Sequence, residues 1–308
     1  MAEPQGLPGT VGFIGLGRMG EPMVRRLAAA GVTVRAFDAV ARLHLAEVVT
    51  LVDEVAAVAE GAAVAEGAAV VILMLPDSNV VEAVVHGGDS ETGLLDALAP
   101  GAVLVDMGSS EPLRTRALAA ETAARDVVLV DAPVSGGVTG AESGTLTIMV
   151  GGPEETTAGL APLLGVLGRV RRVGPVGAGH ALKALNNLMS ASHLLASSEA
   201  LLAGQRFGLD PAAMLEAVNG SSGRSGSTEN KWPNFVLPGT YNSGFALSLM
   251  LKDIRIALGL AEATGAPSAH TARTVELWAE ASAALGPGAD HTEIVRWLRS
   301  IGTGEGDS

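Results

Sequence analysis

The chain has 308 residues, 48% of them apolar and 40 of them glycine, with a formal charge of −13 and no cysteine. That length supports one large domain or two ordinary ones, each with its own core, and two is the expectation. The absence of cysteine excludes disulfides, thiolate metal sites and a cysteine nucleophile and suits a cytoplasmic setting. The acidic balance argues against a nucleic-acid partner, and the longest apolar run, Ala68 to Leu75, is too short to span a bilayer.

Residues 1–9 lack the basic and apolar regions of a signal peptide and are expected to be a disordered lead-in. From Thr10 to about Val173, apolar β-branched runs alternate with Ala-rich, periodically apolar stretches, the pattern of β-α-β units in a parallel sheet. Strands are predicted at Val11–Ile14, Val32–Phe37, Val70–Leu75, Val103–Asp106, Val127–Asp131 and Leu146–Val150. The pentad Glu60-Gly61-Ala62-Ala63-Val64 recurs as Glu66-Gly67-Ala68-Ala69-Val70, a local duplication too short in period for a solenoid. Beyond Gly174 the strand signals fade, and helices are expected, broken at Gly208–Pro211, Asn219–Gly223, Leu237–Gly239 and Gly286–Gly288. From about His180 to Arg206 there is no proline, and one helix of roughly 40 Å at ~1.5 Å per residue is predicted. The expected architecture is α/β: a Rossmann-like, doubly wound parallel sheet over 10–175, then an all-helical domain over 176–301 joined by that long helix, with a disordered tail at 302–308.

Gly15-Leu16-Gly17-Arg18-Met19-Gly20 follows the first strand directly and opens a helical stretch. In that context the glycines serve a tight turn, close approach of backbone to a pyrophosphate and packing of helix on strand. Asp38 ends the next strand 18 residues after Gly20. A carboxylate there can accept both adenine-ribose hydroxyls and repels a 2′-phosphate, so NAD is favoured, with NADP possible. Leu75-Pro76-Asp77-Ser78 and Asp106–Pro112, which includes Ser109, also sit at strand C-termini. Their residues suit cofactor contacts and helix caps alike. Ser135-Gly136-Gly137 can form a cradle of N–H groups for a carboxylate, or a plain turn.

Only three of the 20 basic residues are lysine: Lys183, Lys231 and Lys252. Arginine does not release its proton in a protein and lysine can, so a titratable amine is a reason to retain lysine. On the predicted long helix, Lys183, Asn186, Asn187 and Ser190 share one face, with Leu182, Leu185 and Met189 packing elsewhere. The stripe is either a solvated face or one wall of the cofactor cleft. In the cleft, Lys183 would be the proton-transfer group, its pKa lowered by desolvation toward ~7–8. The six histidines show no metal-ligand spacing.

Four ordered motifs resemble the β-hydroxyacid dehydrogenase family, which includes 3-hydroxyisobutyrate dehydrogenase and tartronate semialdehyde reductase. They are Gly12–Met23; Asp131–Gly137 with Gly144-Thr145-Leu146; Gly177-Ala178-Gly179 followed by Lys183 and Asn186-Asn187; and Lys252-Asp253. The resemblance implies hydride transfer between NAD(P) and a small 3-hydroxy carboxylic acid or its semialdehyde, with Lys183 as general acid and base. It implies that Asn187 orients the substrate, that Ser135, Gly136 and Gly137 hold its carboxylate, and that Ser109 lies near substrate and nicotinamide. Lys252, Leu75 and Pro76 would contact the cofactor, beside Gly15, Leu16, Gly17, Arg18, Met19, Gly20 and Asp38. A homodimer or homotetramer is expected, with no nucleic-acid or membrane partner. Gly108 stands where the family usually has Ser or Thr. The segment Gly223–Trp232 falls in the region that shapes the substrate pocket, and Lys231 and Arg224 there are candidate contacts for a second anionic group. Imine reductases of the same superfamily lack the lysine, so Lys183 argues against that alternative, and a non-catalytic dinucleotide-binding protein would have no use for the Lys183–Asn187 pair.

Overall fold

The computed structural model describes residues 6–40, 42–59, 70–87 and 92–302. The pentad duplication lies outside these residues except for Val70, as do most of the two expected tails. The chain divides into two compact units, Met1–Lys183 and Ala184–Ser308.

In the first unit, β1 (Thr10–Ile14), α1 (Gly20–Ala29), β2 (Thr33–Phe37), β3 (Thr50–Leu51), β4 (Val70–Leu73), α2 (Ser78–His86), α3 (Leu94–Ala97), β5 (Val103–Asp106), α4 (Pro112–Ala123) and β6 (Val128–Asp131) follow one another. They are succeeded by β7 (Val134–Ser135), α5 (Gly137–Ser143), β8 (Leu146–Gly151), α6 (Glu154–Gly165) and β9 (Gly168–Gly174). The sheet order is β3-β2-β1-β4-β5-β6-β8-β7, with β9 also paired to β8. From β3 to β6 every pairing is parallel. β8 then runs antiparallel to β6 and β7 and parallel to β9.

A parallel sheet buried on both faces needs continuous apolar strands, and all four residues of β4 are buried. Met23, Val24 and Leu27 of α1, with Leu160, Leu163 and Leu164 of α6, form the core on one face. Val81 and Val85 of α2 and Leu118 of α4 form it on the other. The strand order turns at β1, so ligands are expected beside the C-terminal ends of β1 and β4.

Six strands fall where the sequence predicts them, although β4 stops at Leu73 and not Leu75. β3, β7 and β9 are additional. The first two are only two residues long, below one full alternation, and β9 is an arginine-rich strand paired only to β8.

The predicted long helix is α7 (Ala178–Phe207), 30 residues and about 45 Å long. It is followed by α8 (Pro211–Asn219), a π-helix (Ser227–Val236), α9 (Leu247–Thr264), α10 (Ala269–Leu285) and α11 (Ile294–Gly302). The core of the second unit gathers Leu194 and Leu195 of α7, Trp232 of the π-helix, Ile254 of α9, Trp278 of α10 and Trp297 of α11. Among its described residues the only β pairing is an isolated bridge between Ala246 and Asp290.

One expectation for α7 is reversed. Leu182, Leu185 and Met189 do not pack but stay 37%, 38% and 51% exposed, while Lys183 and Asn187 on the other side are 9% and 5% exposed. The polar stripe is therefore buried at Lys183 and Asn187 and half-buried at Asn186 and Ser190, and a solvated surface does not describe it.

Candidate active site

The turn after β1 is built as a phosphate-binding turn requires. Gly15 has φ +99°, and a Cβ on it would strike the Met74 carbonyl oxygen. A Cβ on Gly20 would strike the Gly15 carbonyl, so α1 sits directly against the turn. At Gly17 an added Cβ would meet nothing within 4 Å, leaving the backbone open to a ligand. The Leu16 amide donates to Asp38 Oδ2 at 2.6 Å and the Val40 amide to Oδ1 at 2.8 Å, which ties the end of β2 to the glycine turn. Each carboxylate oxygen keeps a further lone pair for a hydroxyl. Arg42 Nε lies 3.5 Å from Oδ1. Exposed Arg18 and half-buried Met19 complete the turn. These residues fit a dinucleotide: the turn has the left-handed glycine, the open glycine and the strand-end acid that such a ligand needs.

The loops after β4 and β5 are drawn against this turn by hydrogen bonds that prolong the sheet ladder. Met74 N donates to Ile14 O at 2.8 Å and Met107 N to Leu73 O at 2.8 Å. Leu75 thereby comes beside Gly15, and Gly108 lies against the Leu75 carbonyl, with Pro76 and Ser109 next to them in the chain. Asp77 caps α2 through the Asn79 and Val80 amides. Ser78 Oγ instead accepts the Glu111 amide at 2.8 Å and joins the two loops. Ser109 is not a cap, since Glu111 occupies the N-cap position of α4. Gly108 has a structural reason, because a Cβ there would strike the Leu75 carbonyl. A serine does not fit this backbone.

Ser135 ends β7 opposite Thr147. Gly136 and Gly137 then turn into α5 with φ of +132° and +62°, conformations that glycine adopts freely. Both glycines are exposed and Ser135 is half-buried. The turn read in the sequence is therefore a strand end leading into a short helix, whose first N–H groups have no partners within the helix.

Sequence reasoning assigned no role to the buried groups that fix the start of α7. Asp131 Oδ1 accepts the Gly177 amide at 2.7 Å and Oδ2 the His180 amide at 2.8 Å. A Cβ on Gly179 would strike the Met149 carbonyl oxygen, which is why glycine stands there. Thr115 Oγ1 lies 2.8 Å from His180 Nδ1, and His180 Nε2 is 3.6 Å from Asp106 Oδ2. Asp106 in turn accepts Ser110 Oγ at 2.6 Å and the Gly108 amide at 2.9 Å. Burial pushes the Asp131 carboxyl above its ordinary value, against the pull of His180 and the two amides. Lys183 follows His180 by one turn, so the helix end carrying the amine is clamped on three sides.

In the second unit Asn187 Nδ2 donates to Asp253 Oδ2 at 2.6 Å, and Lys252 Nζ pairs with Asp253 Oδ1 at 3.2 Å. Asp253 is a further residue to which sequence reasoning gave no role, and its position directly after Lys252 was the available signal. Asn186 Nδ2 reaches Asn187 Oδ1 at 3.2 Å. The Lys231 ammonium donates to Ser190 Oγ at 2.7 Å, and burial lowers its pKa to about 8 against the pull of Asp290. Its neighbour Trp232 is fully buried and donates from Nε1 to Ser198 Oγ at 3.1 Å, which anchors the segment along α7. Arg224 does not join this group; it pairs with Glu229 at 3.1 Å on the surface. No metal-binding cluster of His, Asp or Glu occurs among the described residues, and no described helix is long and apolar enough to cross a membrane.

Two family models cover the chain. That of the NAD-binding domain of 6-phosphogluconate dehydrogenase matches residues 10–177. The model described as NAD-binding of NADP-dependent 3-hydroxyisobutyrate dehydrogenase matches residues 177–298. The 2-(hydroxymethyl)glutarate dehydrogenase of Eubacterium barkeri is 39% identical over 92% of this chain and 93% of its own length. The 3-hydroxyisobutyrate dehydrogenase of Pseudomonas aeruginosa is 39% identical over 83% of this chain and 86% of its own. Among solved structures, the 3-hydroxyisobutyrate dehydrogenase of Mycobacterium tuberculosis with L-serine superposes with a TM-score of 0.86 at 29% identity, covering 95% of this chain and all of that one. With two family models that together match residues 10–298, relatives 39% identical over most of the chain and a fold that superposes, the chain belongs to the β-hydroxyacid dehydrogenase family of NAD(P)-dependent oxidoreductases.

Proposed function

We propose that the protein interconverts a small 3-hydroxy carboxylic acid and its semialdehyde with Lys183 as general acid and base. The nicotinamide of NAD(P), when bound, supplies or accepts the hydride. Gly15–Gly20, Asp38, Leu75, Pro76, Ser109 and Lys252 would hold the dinucleotide, with Asp38 favouring NAD over NADP. Ser135, Gly136 and Gly137 would receive the substrate carboxylate, with Ser109 beside the reacting carbon. In reduction, Lys183 Nζ gives a proton to the carbonyl oxygen; in oxidation, it takes the hydroxyl proton as hydride leaves the carbon. Asn187, its amide fixed by Asp253, orients the substrate oxygen.

The observation that carries this reading is the burial of Lys183 and Asn187 one turn apart on α7, while Leu182, Leu185 and Met189 of the same turns face outward. Amine and amide are thus kept from bulk water on one helix. The outward face of Leu182, Leu185 and Met189 supports self-association as a homodimer or homotetramer, and a cysteine-free chain fits a cytoplasmic setting.

Replacing Lys183 with Ala should lower turnover on 3-hydroxy acids by ~10²–10⁴ and leave the NAD dissociation constant nearly unchanged. Steady-state kinetics with calorimetric NAD binding checks this, and a variant with full turnover removes Lys183 from the chemistry.

A further inference from the structure

Lys231 is an unusual cation. Its side chain is half-buried, its hydrogen-bond acceptors are the Ser190 hydroxyl at 2.7 Å and the Ser190 carbonyl at 3.4 Å, and both are neutral. Among the described residues no carboxylate lies within 4 Å of it. Asp290 attracts it from farther off, but that carboxylate is already saturated by Ser243 Oγ, the Gly244 amide, and the Thr292 amide and hydroxyl. His291, the other titratable group acting on this region, is pushed below its ordinary value by burial and by Lys231 itself, which favours the neutral imidazole, and neither of its forms offers an anion. Buried charges in folded proteins are ordinarily paired. Here no carboxylate among the described residues pairs with the ammonium directly.

The place of this cation is also specific. Half-buried Ser190 follows Lys183 by seven residues on α7, two turns or about 10 Å along the helix axis, in the same stripe as the buried Lys183 and Asn187. The buried anchor Trp232 and the π-helix fix Lys231 over that stripe, where a flexible surface lysine would pay a larger entropic cost for binding.

We propose that Lys231 receives a second carboxylate, so that the preferred substrate is a 3-hydroxy acid carrying another carboxylate several bonds from the reacting carbon. This rests on the reading of Lys183 and Asn187 as the reacting end of the same stripe. Ser190 holds the ammonium in place and the arriving anion gives it a direct charged partner. Because Lys231 titrates near pH 8, recognition of the second carboxylate weakens as pH rises through that value.

The test compares wild type, Lys231→Met and Lys183→Ala on two substrates, 3-hydroxyisobutyrate and 2-(hydroxymethyl)glutarate, from pH 7 to 9.5. Lys231→Met should raise KM for the dicarboxylate ~10–100-fold, the loss of one charge-assisted contact, with kcat and the monocarboxylate KM little changed. The rise of the dicarboxylate KM with pH in wild type should vanish in this variant. Equal effects on the two substrates, or none on either, overturn the proposal for Lys231 while leaving Lys183 in place. Full turnover by Lys183→Ala overturns the underlying reading instead. Calorimetric binding of glutarate against butyrate to the NAD-loaded Lys183→Ala protein separates the cases without turnover, since only glutarate should bind more weakly when Lys231→Met is added.

Discussion

At Asp131, burial and hydrogen bonding oppose one another. The carboxylate is fully buried, which favours the neutral acid, while the Gly177 and His180 amides favour the ion and use it to seat the first turn of α7. Asp131→Asn keeps the volume but turns one acceptor into a donor facing an N–H group. It should cost ~1–3 kcal/mol of stability in denaturant unfolding. Because Lys183 sits one turn along the displaced helix, kcat should fall ~10-fold or more, with NAD affinity unchanged; an unaltered kcat would show that α7 keeps its place without this clamp. Lys183 and Asn187 were legible in the sequence because lysine is scarce and their spacing is helical. Asp131, His180 and Asp253 were not, since their partners lie 46, 49 and 66 residues away and only folding brings them together.

The glycine turn lends itself to a test at the level of a whole element. Gly17 meets no protein atom, whereas Gly20 packs against the Gly15 carbonyl. Gly17→Ala should therefore leave the stability of the free protein within ~0.5 kcal/mol and raise the NAD dissociation constant ~10-fold or more by blocking the approach of phosphate. Gly20→Ala should lose stability as well. If both variants bind NAD normally, the turn does not hold the phosphates. The parallel strands were readable because each is a compact β-branched run, and α7 because it is long and free of proline. β3 and β7 are too short to express a period, and the π-helix has a proline within it and no distinctive repeat. Gly108 looked like a departure until the Leu75 carbonyl appeared where its side chain would be.

For the whole molecule, the lowered pKa of Lys231 makes a statement about stability. Between about 8 and its ordinary value of 10.5, the unfolded chain holds a proton here that the folded chain has released, so stability rises with pH across that window. The cost of burying the ammonium is fully present below pH 8 and fades above it. Chemical unfolding of wild type against Lys231→Met should show the variant more stable at pH 7, with the difference shrinking toward pH 10.5; parallel curves would place Lys231 in contact with water. The α/β and helical halves were readable from the point where strand signals end; the first unit packs two core clusters, one on each face of its sheet, and the second unit packs one of its own. One further consequence concerns recombination. Since α7 runs unbroken through the division of the chain, the amine closes the first unit and the amide opens the second. A chimera of two related enzymes that takes both groups from one parent must therefore be spliced upstream of Lys183 or beyond Asn187, never at the seam between Lys183 and Ala184.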